Sequence, residues 1–98
     1  MASKLTPISP GEILLEEFLG PLELSQSGLA RAIHVAPGRI NDIIHARRTI
    51  TPDTAARLSI YFRTTPDFWL NLQARYDAKI ASRDFVPAMS RRIQPHAA

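Results

Sequence analysis

The chain has 98 residues, 45% of them hydrophobic, and no cysteine; that is enough for one domain around one core, and it excludes disulfide staples and thiolate metal sites. Twelve basic against nine acidic residues give a net charge of +3, a lean toward polyanionic partners, and no apolar run is long enough to span a bilayer, so no membrane partner is expected. The opening residues hold no apolar export segment, and a cytoplasmic protein is expected. Glu12, Glu16, Glu17 and Glu23 lie early in the chain, whereas Arg31, Arg39, Arg47, Arg48, Arg57 and Arg63 occupy the middle and Arg83, Arg91 and Arg92 the end, an asymmetry that suggests two faces with different partners.

An N-terminal arm over residues 1–8 precedes the first helix signal. Ser9-Pro10-Gly11-Glu12 predicts a capped helix start, with a hydroxyl for an orphan amide, a proline at the first position and an acid completing the capping box. Ile13, Leu14 and Phe18 then give an apolar stripe and Glu16 and Glu17 an acidic one; Gly20-Pro21 is expected to stop the helix, leaving Leu22 and Leu24 in the connection. Ser25 caps a second helix running to about Ala32, and His34 falls in a turn that calls for positive φ. Pro37 holds Ala36 extended and opens a third helix reaching about His45, whose inward stripe is Ile40, Ile43 and Ile44.

Thr51-Pro52-Asp53 and Thr65-Pro66-Asp67 open the fourth and fifth helices with the same capping chemistry. The fourth, about 52–62, buries Ala55, Leu58, Ser59 and Phe62 and leaves Arg57 off that stripe; the fifth, from 66 to about 82, carries Phe68, Trp69, Leu72, Tyr76 and Ile80 at helical spacing. From Asp84 onward an irregular arm is expected. The predicted organisation is therefore all-α, with five helices over 9–82 and a C-terminal tail over 83–98.

Helices two and three are each short, are joined by about three residues and are followed by paired arginines, the arrangement of a helix-turn-helix that lays its second helix in the major groove. Ala36, Pro37 and Gly38 would then lie nearest the bases, and Arg39 and Asn41 would read them, since Arg pairs bidentately with guanine and Asn with adenine. Gln26, Arg47, Arg48 and Thr49 would hold phosphate. The bland alternatives are a helical hairpin in a small bundle and, for Asn41, a solvated surface residue. His34, His45 and His96 show no metal-ligand spacing, and no nucleophile triad or glycine-rich phosphate loop is present, so catalytic residues, metal and cofactor are not expected.

Ser9-Pro10-Gly11-Glu12-Ile13-Leu14, Leu24-Ser25-Gln26, Leu29-Ala30, Arg39-Ile40-Asn41, Ile50-Thr51, Asp53-Thr54-Ala55, Arg57-Leu58 and Phe68-Trp69-Leu70-Asn71-Leu72-Gln73 together closely resemble the HigA (also called VapI) antitoxins, a branch of the Xre/Cro helix-turn-helix proteins. The resemblance covers roughly residues 7 to 80. It implies a five-helix, lambda-repressor-like domain that forms a homodimer, binds palindromic operator DNA, represses its own operon and neutralises a HigB-like toxin, an mRNA-cleaving ribonuclease. His34 and Ala46 stand where such proteins commonly carry glycine. On this reading Trp69, Leu72, Tyr76 and Ile80 are expected at the dimer interface. Glu12, Glu16 and Glu17 are expected, on charge alone, to meet the basic toxin, their bland alternative being a solvated face. A stand-alone Xre-type repressor without a toxin and a protein-binding adaptor on the same fold are the competing functions.

Overall fold

The computed structural model describes residues 6–97. Five helices follow one another, with no strand among the described residues: α1 (residues 10–22), α2 (Gln26–Ala32), α3 (Pro37–Ile44), α4 (Pro52–Phe62) and α5 (residues 66–89). No helix among them is long and apolar enough to cross a membrane. Four starts are fixed by side chains of the expected kind. The hydroxyls of Ser9, Ser25, Thr51 and Thr65 accept from the backbone N–H of Glu12, Gly28, Thr54 and Phe68 at 3.2, 2.9, 3.4 and 3.3 Å, each satisfying a donor that the helix leaves unpaired. α3 starts without a side-chain cap, and Pro37 sets its first dihedral.

Two helices run further than their sequences predict, for one physical reason. Gly20-Pro21 does not stop α1: after Pro10–Ile13 the backbone widens into a π-helical stretch over Leu14–Leu19, Gly20 stays right-handed at φ −59° and ψ −59°, and the helix ends at Leu22. Nor does α5 give way to irregular chain at Asp84. Pro66–Ile80 passes through a π-helical turn, Ala81–Phe85, into Val86–Met89, so irregular chain begins only beyond that last turn. In both places the residue before a proline donates its N–H five residues back, Gly20 to Leu15 O and Val86 to Ala81 O. A proline has no N–H to give and needs room for its ring against the preceding turn; the wider turn supplies that room and lets the helix continue. Leu22 therefore lies in the last turn of α1, while Leu24 is in the connection, packed on the core.

The core is built from the stripes of all five helices, with Leu14, Leu29, Ile40, Leu58 and Trp69 fully enclosed. Trp69 is ringed by Phe18, Phe62 and Phe68, with centroids 4.9, 6.0 and 4.9 Å away, and its indole N–H donates to Thr64 Oγ1 at 2.8 Å. Its expected place at a dimer interface is thereby corrected: at 0% exposure this ring has no surface to offer a second subunit. Leu72, Tyr76 and Ile80 are half-buried. α1 rides on α3 at Gly11, where a Cβ would overlap the Ile43 carbonyl oxygen and lie 2.7 Å from Ile44 Cα.

Candidate nucleic-acid interface

The turn between α2 and α3 is held from both sides. Val35 N–H bonds to Ala30 O at 3.0 Å, and His34 sits at φ 62°, the left-handed conformation its place in the turn requires. From α4, Arg57 Nη1 donates to the carbonyls of Ile33 at 2.9 Å and His34 at 3.3 Å, satisfying acceptors that the end of α2 leaves free. Ile40 and Ile43 anchor α3 inward. Its first turn points the other way: Ala36, Pro37 and Gly38 are exposed, and a Cβ added at Gly38 would meet nothing within 4 Å.

Most of the expected contact residues meet on this face. Asn41 Nδ2 donates to Gln26 Oε1 at 3.1 Å, and Arg47 Nη2 donates to Asn41 Oδ1 at 2.8 Å. Arg47 and Arg48 also flank Asp42, at 3.2 and 3.7 Å, yet each keeps half or more of its side chain exposed, 56% and 50%, and Thr49 is exposed beside them. Arg39 is held apart from this group. Its Nη1 donates to Asp53 Oδ2 at 2.9 Å and to Thr54 Oγ1 at 3.4 Å. The same Asp53 oxygen accepts from Arg57 Nε at 3.0 Å, and the bonds from Arg57 and then Arg39 hold the Asp53 carboxyl below its ordinary range. Glu12, Glu16 and Glu17 are all exposed on α1.

Three residues with a part in this surface were missed in the sequence. Asp53 and Arg57 were visible only as a capping acid and an off-stripe base, although their i, i+4 spacing is that of a helix ion pair. Gln73 is the third. It is buried in α5, takes the N–H of Ile50 on its Oε1 at 2.8 Å and donates through Nε2 to Asp77 at 2.9 Å, so the loop bearing Arg47, Arg48 and Thr49 is tied to α5. Its signal was a polar residue set among apolar ones, next to Leu72.

The helix-turn-helix family matches residues 15–69. Virulence-associated protein I of Dichelobacter nodosus is 50% identical over 82 residues, which cover 84% of this chain and 76% of that protein. Antitoxin HigA-1 of Vibrio cholerae is 35% identical over 75 residues, 76% of this chain and 70% of its own. Among solved structures, the antitoxin HigA of Pseudomonas aeruginosa with the higBA promoter superposes with a TM-score of 0.84 at 41% identity, over 93% of this chain and 99% of that one.

Proposed function

The chain belongs to the HigA/VapI branch of the Xre-type helix-turn-helix family, and from that premise we propose that it is an antitoxin that binds palindromic operator DNA as a homodimer, represses its own operon and neutralises a HigB-like ribonuclease toxin. The observation that carries the DNA-binding part is the unobstructed first turn of α3, with Gln26, Asn41 and Arg47 bonded together beside it. Gln26 accepts from Asn41 through its oxygen, which orients the Asn41 amide and leaves the Gln26 amide nitrogen as a donor for phosphate. Arg47, Arg48 and Thr49 continue the phosphate track, while Arg39 offers a planar pair of donors for guanine and Asn41 a planar donor and acceptor for adenine.

A mobility-shift titration on the DNA upstream of this gene tests the reading. Arg39→Ala lowers the preference for that DNA over a scrambled duplex by roughly tenfold, in line with about 1–3 kcal/mol for a good bidentate pair. Arg48→Ala weakens both duplexes alike and lowers the salt slope by about one. Wild-type affinity and salt dependence in both variants would remove α3 from the groove. For the toxin, the acidic face of Glu12, Glu16 and Glu17 suits a partner that must be basic to hold RNA. Co-purification with the product of the neighbouring reading frame is the check, and a complex that survives Glu16→Lys with Glu17→Lys excludes this face. Operator binding with no toxin captured leaves a stand-alone repressor.

A further inference from the structure

We propose that Asp53 is a positioning residue for DNA specificity: one carboxylate oxygen holds Arg39 at a fixed angle to α3 and is itself anchored, through Arg57, to the turn between α2 and α3. The inference rests on the reading of Arg39 as a base-contacting side chain. Asp53 Oδ2 lies 2.9 Å from Arg39 Nη1 and 3.0 Å from Arg57 Nε. Arg57 Nη1 in turn grips the carbonyls of Ile33 and His34. An unbroken chain of hydrogen bonds therefore runs from the backbone of the turn to the Arg39 guanidinium, and buried Thr54 adds a second acceptor for the same nitrogen.

The geometry leaves Arg39 equipped to read. Among the described residues only Nη1 is engaged, so Nε and Nη2, the pair on the side edge of the guanidinium, have no partner from those residues and remain to meet guanine O6 and N7. A free arginine loses rotamer entropy when it docks and can settle on the nearest phosphate instead. Held by Asp53, it meets the groove with part of that entropy already lost, and its charge is partly offset before it meets DNA. Removing the carboxylate should therefore act in opposite directions on the two kinds of DNA, strengthening attraction to any duplex and weakening discrimination between duplexes.

The chain carries its own control. Asp67 occupies the same place in Thr65-Pro66-Asp67 as Asp53 in Thr51-Pro52-Asp53, in the first turn of α5, but makes no ion pair among the described residues. A purely capping role is shared by both acids; contact with Arg39 belongs to Asp53 alone.

Fluorescence anisotropy on the duplex upstream of this gene and on a scrambled duplex of equal length, at one salt concentration, tests the proposal. Asp53→Asn is expected to lower the affinity ratio by about tenfold while tightening binding to the scrambled duplex. Asp67→Asn should keep the ratio. In an Arg39→Ala background, Asp53→Asn should change the ratio no further, a result that loss of a helix cap would not produce. An unchanged ratio in Asp53→Asn beside a lowered one in Arg39→Ala overturns the positioning role alone. A raised ratio also overturns it, because Asp53 would then be holding Arg39 away from the bases. An unchanged ratio in Arg39→Ala removes the base-contact reading and this inference with it.

Discussion

Glu23, His34, Ala46 and Arg63 each close a helix in the left-handed region, at φ of 53°, 62°, 59° and 59°. A Cβ makes that conformation costly by about 1–2 kcal/mol, and glycine escapes the penalty. Ala46 has no polar side chain to compensate, so Ala46→Gly is expected to stabilise the fold by about 0.5–1 kcal/mol after the extra flexibility of the unfolded chain is counted. That corresponds to a melting temperature roughly 2–8 °C higher by circular dichroism. The left-handed turn at His34 was readable from its place between the end of α2 and the proline that opens α3. The bonds of Arg57 to that turn were not, because their acceptors lie 23 and 24 residues earlier in the chain. The lowered pKa of Asp53 also has a definite sign: stability from its ion pairs is complete above the unfolded value, near 3.9, and is lost only as pH falls through the lower folded value. The Asp53 contribution to DNA preference should therefore be flat across neutral pH, as anisotropy titrations between pH 6 and 8 would check.

Contacts between helices decide how rigidly the parts proposed to face DNA are mounted. Gly11 lets the first turn of α1 touch the backbone of α3 at Ile43 and Ile44. Gly11→Ala should force the two helices apart, at a cost typical of overpacking, about 1–3 kcal/mol, and weaken operator binding even where the protein remains folded. Gln73 does the corresponding work for the loop after α3. Gln73→Ala strands the buried Ile50 N–H, a loss of about 1–3 kcal/mol in a denaturant titration, and should reduce operator affinity through Arg47 and Arg48 although Gln73 lies on another helix. The helix starts were legible because a cap is a local event between residues three apart. The ends of α1 and α5 were not, because a π-helical turn ahead of a proline leaves no distinct signature in composition or apolar spacing.

For the whole molecule, the proposed dimer must place two α3 helices on one face of DNA about one turn, near 34 Å, apart. Five base pairs inserted at the centre of the palindrome would turn one half-site to the far side of the duplex. Affinity in a mobility shift should then fall to that of a single half-site. Trp69 shows why the subunit surface was harder to read than the core: a fifth-helix stripe looks the same whether it faces its own chain or another. The radius of gyration is 16.2 Å, against about 13 Å for a compact chain of this length. The last turns of α5 leave Phe85, Val86 and Met89 exposed, where an irregular arm had been expected.

The amino-acid order alone determined the five helices, their starts and the pairing of α2 with α3, because capping and apolar periodicity act over a few residues. It also marked, through their chemistry and their distance from the buried stripe, the polar groups that we propose face DNA. Only the tertiary structure decided that Arg39 is shared with Asp53, that Gln73 holds the loop of Arg47 and Arg48, and that Trp69 belongs to the core. Each of those facts joins residues from different helices, and an interaction of that kind exists only once packing has brought its partners within hydrogen-bonding or van der Waals range.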